Sequence, residues 1–303
     1  MGGQPGEKQQ AAPTKDDPMS GISVLILTKN EQLDLAGCLE SLSWSDDIHV
    51  YDSMSTDRTV DIAKAFGATV TQRPFDNWSS HQNWGLRNIP FKHKWVYYSD
   101  ADERVTPELA QALKAFALDP GEHVALRVRR RDYLMGTWLK RVTPSPFNIR
   151  FFKPAHIKYE RLTNPVTLVD GPIADTDKHF DHYPFSKGMA HWFSKHNSYS
   201  TSEADQILTN RRAGANFSAW TALFSKDSNE RRFHQKELYY RLPMRPFAMF
   251  LLLYVGKRGF LDGHAGLTFA ILRSIYEYMI VLKVKEQEQQ VPQAATSATL
   301  SQP

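Results

Sequence analysis

The chain has a single cysteine, Cys38, among 303 residues. One thiol excludes a disulfide framework and a cysteine-ligated metal cluster, and it fits a reducing compartment. Cys38 itself falls in an apolar helical pattern and reads as plain core. No Gly-x-Gly-x-x-Gly follows the first strand-like run, which argues against a Rossmann dinucleotide site, and no P-loop glycine-lysine motif is present. Histidines such as His179, His182, His191 and His196 lack a His-Glu-x-x-His spacing, so they read as structural or ligand-contacting groups rather than zinc ligands. No stretch reaches the roughly 20 apolar residues of a membrane-spanning helix. Met1 to Ser20 has no apolar h-region and reads as a disordered tail, not a secretory signal. Neither charge dominates. Lys plus Arg number 37 and Asp plus Glu 33, a net charge of +4, compatible with an anionic membrane surface or phosphorylated substrates without selecting either. What is present is 41% hydrophobic and 12% aromatic residues, enough to build a proper core.

The first half alternates strand and helix patterns. Ile22–Thr28 is a short branched apolar run, the mark of a buried parallel strand. A helical pattern with Leu33, Leu35, Cys38, Leu39 and Leu42 follows, then a second strand at Asp47–Asp52. Thr56 or Asp57 is placed to cap a helix carrying Val60, Ile62, Ala63 and Phe66, and Gly67 closes it. Ala68–Thr71 is a third strand, and a helix around Ser79–Asn88 leads into the Trp95 strand. Thr106-Pro107 is a helix cap with proline at the first helical position. This alternation predicts an α/β fold with a mostly parallel sheet flanked by helices, whose polar loops gather on one edge.

The strand Trp95–Asp100 runs into Asp100-Ala101-Asp102-Glu103. Strand residues two apart share a face, so Asp100 and Asp102 are expected to converge beyond the strand's carboxyl end, where open α/β sheets bind ligands. Two such carboxylates suit a hard divalent cation that holds phosphates. A solvated turn ahead of a helix cap is the plainer reading of a lone copy. The other edge loops add Thr28, Asn30 and Glu31, then Asp52, Ser53, Ser55, Thr56 and Asp57. An acidic, amide-rich rim without a phosphate-cradling glycine loop points to a nucleotide held through base and ribose, with its diphosphate on a metal. Asp52 can accept from a ribose hydroxyl or a base NH, or simply cap a turn.

Four ordered motifs carry a resemblance. They are Thr28-Lys29-Asn30-Glu31, Asp52-Ser53-Met54-Ser55-Thr56-Asp57-Arg58-Thr59, Gln82-Asn83-Trp84-Gly85-Leu86 and Asp100-Ala101-Asp102-Glu103. Over Gly21 to Ala115 the chain resembles the family 2 glycosyltransferases, inverting nucleotide-sugar enzymes of the GT-A fold, and within them the lipopolysaccharide-core β-glucosyltransferase branch. A weaker match continues through Gly259-Phe260-Leu261-Asp262-Gly263. The resemblance implies a GT-A nucleotide-sugar-binding domain over 21–185; from about Ser186 helical patterns dominate to 286, and the Gln-, Ala-, Thr- and Ser-rich stretch 287–303 reads as a second disordered tail. It implies nucleotide-sugar contacts from Thr28, Asn30, Glu31, Asp52, Ser55, Asp57, Gln82, Asn83, Asp100 and Ala101. Asp102, with Asp100, would hold Mg²⁺ or Mn²⁺, which neutralises the diphosphate leaving group. Met54 departs from the glycine usual in that branch, and methionine lacks glycine's freedom at positive φ.

An inverting enzyme needs a carboxylate to take the acceptor's proton. The branch's His-Glu pair corresponds here to Asn164-Pro165, which cannot serve. Glu160 is the nearest carboxylate and the expected base, with Asp170 in reserve; a surface pair of Glu160 with Arg161 or Lys158 is the plainer reading. In the second half, His191-Trp192, Lys195-His196-Asn197 and Tyr199 form either an acceptor-binding face or ordinary packing, and Tyr133 and Trp138 are read the same way. Phe247–Val255 is apolar but short, and Leu267–Val284 carries Arg273, Glu277 and Lys283. Apolar helices flanked by arginine and tyrosine suit either an interfacial anchor or packing within the fold.

The expected function is hexose transfer from a UDP-glucose-like donor to a glycan or glycolipid acceptor in lipopolysaccharide-core or exopolysaccharide synthesis. The expected location is cytoplasmic, with peripheral contact on the inner membrane and no nucleic-acid partner. A sugar-phosphate nucleotidyltransferase would want a basic glycine-rich loop where Thr28-Lys29-Asn30-Glu31 stands. A non-catalytic glycan-binding protein would gain nothing from a repulsive carboxylate pair.

Overall fold

The structure, a computed structural model, describes residues 21–160, 166–212, 217–225, 227–242 and 244–300, with backbone alone at 228, 229, 232 and 290–300. The chain forms two compact units. The first runs to Arg130 and resumes over Phe147–Asp181; the second takes Arg131–Pro146 and the chain from His182 onward.

The first unit begins β1 (Ile22–Thr28), α1 (Leu35–Ser41), β2 (Asp47–Asp52), α2 (Thr59–Ala65), β3 (Thr69–Gln72), α3 (Trp78–Asn88), β4 (Trp95–Asp100). β1 pairs in parallel with β2 on one side and β4 on the other, and β2 with β3. Ile22, Val24 and Ile26 enter one core with Leu35, Cys38 and Leu39, while Leu25 enters the opposite core with Leu86 of α3. A strand covered on both faces needs apolar residues at both parities, which is why β1 reads as an unbroken run.

Beyond β4 come β5 (Glu103–Val105), α4 (Pro107–Leu118), β6 (Ala125–Leu134), β7 (Thr137–Trp138), β8 (Phe147–Phe152), β9 (Ile157–Glu160), β10 (Val166–Val169) and β11 (Ile173–His182). The sheet order is β3-β2-β1-β4-β8-β6-β11-β5. The parallel part is β3-β2-β1-β4; from there β8 pairs antiparallel with β4 and with β6. β9 and β10 form a separate antiparallel pair. Thr106 caps α4 as predicted, its hydroxyl accepting from Leu109 N, with Pro107 in the first turn. Gly67 closes α2 at φ 76°, as its position predicts. Asp57 caps the start of α2 as expected, its Oδ1 accepting from Thr59 N at 3.0 Å, with Arg58 between it and the first helical residue. One local expectation gives way: Leu33 is 67% exposed rather than part of the helix's buried face.

The second unit is helical: α5 (Gly188–Arg212), α6 (Ala219–Phe224), α7 (Ser228–Arg241), α8 (Arg245–Leu251), a π-helical turn at Leu252–Gly256, a 3-10 turn at Gly259–Asp262 and α9 (Gly263–Leu300). Trp192, Ala204, Ile207 and Leu208 of α5 pack with Leu272, Tyr276, Ile280 and Val284 of α9. A second cluster joins Leu134, Leu139 and Val142 to Leu253, Ala265 and Ala270. Arg245 and Glu277 form a buried ion pair at 2.7 Å. Gly266 is required by packing, since a Cβ there would lie 2.0 Å from the Gly259 carbonyl. Contrary to the expectation that no stretch is long enough, Gly259–Gln289 is long and apolar enough to cross a membrane by length and composition, with a mean hydropathy of 1.4 in its most apolar window. Of the charges within it, Glu277 is neutralised by Arg245.

Candidate active site

The loops after β1 and β2 are laced together by side chains. Asp52, fully buried at the end of β2, accepts from Thr28 Oγ1 (2.9 Å) and Ser55 Oγ (2.5 Å) on Oδ1, and from Ser55 N (2.8 Å) and Gln72 Nε2 (2.9 Å) on Oδ2. Burial pushes this carboxyl up, and the bonds from Ser55, Gln72 and Thr28 outweigh it and hold it below the usual range. A carboxylate has about four lone-pair sites, and here the protein fills them all. Ser55 Oγ also accepts from Asn30 N at 2.8 Å, and Asn30 Oδ1 accepts from Thr56 N at 2.9 Å. Glu31 N donates to Thr59 Oγ1 at 2.7 Å. Asp57 accepts from Thr59 N (3.0 Å), Thr59 Oγ1 (2.5 Å) and Gln32 N (3.2 Å); burial raises its carboxyl and these bonds lower it below its ordinary value. Lys29, which the sequence did not single out, donates to the carbonyls of Ser53 and Met54. Met54 stands at φ 60°, so the position does demand the left-handed conformation that glycine adopts freely. Thr28, Asn30, Glu31, Asp52, Ser55 and Asp57 are thus brought into one network.

β4 ends at Asp100, and Ala101 and Asp102 form a turn before β5, so Asp102 lies past the strand's carboxyl end, as expected. Ala101 is buried in the core, which explains its small side chain, and Asp102 is half-buried. The residue that organises this loop is Arg150 of β8. Its Nη2 donates to Asp100 Oδ2 at 2.6 Å and to Glu103 Oε1. The guanidinium lies over the rings of Tyr98 (4.8 Å) and Phe180 (5.5 Å), and its side chain is only 12% exposed. Burial lowers the guanidinium's proton affinity, while the charges of Asp100 and Glu103 raise it further than burial lowers it. The sequence offered no signal for this role, because Arg150 is 50 residues from Asp100 and 47 from Glu103.

α3 supplies two adjacent amides. Gln82 Nε2 donates to Tyr98 Oη at 2.9 Å, and Tyr98 donates to Asp100 Oδ1 at 3.4 Å. Asn83 takes the backbone of Tyr159 from both sides, donating to its carbonyl (2.8 Å) and accepting from its N–H (2.9 Å). Tyr98 and Tyr159 lie with ring centroids 6.5 Å apart. One helical turn therefore ties the Asp100 strand and the strand ending in Glu160 to each other. Glu160 is exposed and pairs with Lys158 at 2.9 Å. The alternative carboxylate, Asp170, is held through its backbone by His156. Asn164-Pro165 lie outside the described residues.

Histidines of the second unit have partners within that unit. His196 stacks on Trp192 at 3.8 Å and bonds its carbonyl, so that face of α5 is largely packing within the second unit. His182 pairs with Asp132 at 2.6 Å. The Gly259–Gly263 motif is structural as well: the Asp262 carboxylate accepts from the N–H groups of Arg141 (2.8 Å) and Val142 (2.8 Å).

Among the described residues no cluster of three or more His, Cys, Asp or Glu forms a metal cage. Mg²⁺ and Mn²⁺ at phosphate-transfer sites are held by one or two carboxylates plus the substrate's phosphates, not by an all-protein cage. Asp100, whose side chain is 43% exposed, and half-buried Asp102 fit that donor set.

Comparison with known proteins agrees with this frame. Residues 23–173 match glycosyl transferase family 2. The chain is 24% identical to a lipopolysaccharide core biosynthesis glycosyltransferase, LpsC, of Rhizobium meliloti, over 88% of this chain and 93% of that protein. Among solved structures, residues 1–349 of TarS from S. aureus align with a TM-score of 0.40 and 15% identity, covering 85% and 91% of the two chains. Glucosyl-3-phosphoglycerate synthase from Mycobacterium tuberculosis, in complex with Mn²⁺, UDP-glucose and phosphoglyceric acid, aligns with a TM-score of 0.33 and 22% identity over 41% and 50%. Sequence motifs, sheet and family match agree: over residues 23–173 the chain carries a glycosyl transferase family 2 domain, built on an α/β frame.

Proposed function

We propose that the protein is an inverting, divalent-metal-dependent hexosyltransferase. It uses a UDP-glucose-like donor and a glycan or glycolipid acceptor in lipopolysaccharide-core or exopolysaccharide assembly, working at the cytoplasmic face of the inner membrane with peripheral contact. The observation that carries this reading is the α3 tie. Gln82 fixes Tyr98 beside Asp100, and Asn83 fixes Tyr159 beside Glu160, so the donor-side carboxylate and the candidate base hang from one helix.

Asp102 and Asp100 would hold Mg²⁺ or Mn²⁺, which supplies Lewis-acid neutralisation of the diphosphate when bound. Asn30, Glu31, Asp52, Ser55 and Asp57 form the loop network that shapes the nucleoside site. Ala101 packs that rim from below, and Thr28 steadies Asp52. In the reaction the acceptor oxygen forms a new bond to the anomeric carbon while the bond from that carbon to the diphosphate oxygen breaks. Glu160 takes the acceptor's proton, and the nucleoside diphosphate leaves with the bonding electron pair. The name of the Rhizobium relative supports the envelope-polysaccharide setting.

Calorimetry against UDP and UDP-glucose, with and without Mn²⁺, tests the donor half. Metal-dependent binding that is lost in Asp102→Ala is the expected result. Equal binding by that variant would remove Asp102 from the metal, and no binding of either ligand would reject a uridine donor.

A further inference from the structure

The segment Met244–Lys285 contains only two acidic residues, Asp262 and Glu277. Both are buried and occupied, Asp262 by the amides of Arg141 and Val142 and Glu277 by the Arg245 guanidinium. No exposed carboxylate remains on this stretch, whereas Lys257 and Arg258 are exposed. Between and around them stand large apolar side chains facing water. α8 and the π-helical turn form one helical stretch, Arg245–Gly256. Its inner side, Met249, Phe250, Leu253 and Tyr254, packs on the Leu139 and Val142 cluster. Its outer line, Phe247, Leu251 and Val255, recurs every four residues and is 54%, 42% and 56% exposed. Leu252, Phe260 and Leu261 extend the same apolar character to 50%, 48% and 57% exposure.

A soluble surface normally scatters its exposed apolar residues singly. This one lines them along a helix, removes every negative charge, and sets two cations at the end. The helical stretch is 12 residues, about 18 Å long, well short of a bilayer's hydrocarbon core. A short amphipathic helix of that charge lies in the plane of an interface and prefers anionic headgroups. We propose that the Phe247–Leu261 surface docks the protein in-plane on a bilayer rich in anionic phospholipid, with Leu251, Leu252, Val255, Phe260 and Leu261 entering the headgroup boundary and Lys257 and Arg258 meeting lipid phosphates. This deepens the membrane part of the proposed function. It does not depend on which sugar is moved.

The test is flotation of the full chain with phosphatidylcholine vesicles, with and without phosphatidylglycerol. The wild type is expected to float with the anionic vesicles and to be released by alkaline carbonate. Lys257→Gln with Arg258→Gln should weaken that partition about thirtyfold, roughly fivefold per cation. Leu251→Gln with Leu252→Gln should abolish it, with an unchanged melting temperature showing that the fold is intact. Four results would overturn the proposal: no flotation of the wild type, equal partition onto neutral vesicles, resistance to carbonate (α9 then spans the bilayer), or wild-type self-association that the leucine pair abolishes without any vesicle binding (the face then joins two copies of the chain). Nucleotide binding is read separately. A chain that floats but takes no nucleotide defeats the transfer reading alone, and one that binds nucleotide but ignores every vesicle defeats this one alone.

Discussion

Asn83 grips Tyr159 by both backbone groups, donating to its carbonyl at 2.8 Å and accepting from its N–H at 2.9 Å. An amide side chain thereby holds the side of β9 that faces away from β10, its strand partner among the described residues. The sequence had placed Asn83 among the donor contacts, and the structure gives it this bond to the β9 backbone. Asn83→Ala should cost about 2 kcal/mol of stability, near 1 kcal/mol for each hydrogen bond. It should also lower turnover through the displaced Glu160 strand while leaving the dissociation constant for UDP unchanged. Denaturant unfolding and calorimetry measure the two effects; a large loss of UDP affinity would return Asn83 to the donor pocket.

Glu160→Gln should leave donor binding intact and lower turnover about 10²-fold or more, the size of a lost general base. Its pair with Lys158 is exposed, so stability should change by less than about 1 kcal/mol. Steady-state kinetics with an envelope-glycan acceptor decide the matter, and undiminished turnover would move the base elsewhere.

Met54 holds a left-handed backbone at φ 60° that costs an L-residue about 1 kcal/mol or more. Met54→Gly should therefore stabilise the protein by up to about 1 kcal/mol, the relief of strain being partly offset by the greater freedom of glycine in the unfolded chain. A melting temperature that falls instead would mean the exposed methionine side chain makes a contact worth more than the strain.

Asp52 sets an acid-side dependence. Its folded carboxyl lies below its usual value, so the unfolded chain binds the proton more readily. The ionised carboxylate thus contributes stability that is fully present above pH of about 4, near the unfolded value, and is lost as pH falls through the folded one. Asp52→Asn should be less stable than wild type by about 2 kcal/mol at neutral pH. The gap should narrow steadily below about pH 4. Parallel thermal melts across that range check the sign; a gap that widens in acid would contradict it.

The parallel half of the fold was legible because local patterns determine it. β1 and β2 appear at their predicted bounds, and Thr106-Pro107 caps α4 as predicted. The antiparallel half was not. β6 reads Ala-Leu-Arg-Val-Arg-Arg-Arg-Asp-Tyr-Leu, and a register shift between Leu126 and Arg127 breaks the period of two that would have marked it. Site residues followed the same division. Asp52, Asp57 and Asn30 were singled out from the ends of β1 and β2 and the loops after them, and the structure gathers them into one hydrogen-bonded network. Arg150 and Lys29 were missed because a cation's partners come from distant pairing, which no single stretch of sequence records. Gln82 and Asn83 were found for their position in a motif, yet their bonds run to Tyr98 and Tyr159.

Arg150 gives the acidic loop a resident counter-ion. Neighbouring carboxylates repel one another unless a positive charge lies between them. Here Asp100 and Glu103 remain clamped by a guanidinium that cannot diffuse away or lose its proton. The guanidinium therefore holds the loop's shape by itself, so that, under the proposed metal dependence, chelation during purification should strip activity without unfolding the chain.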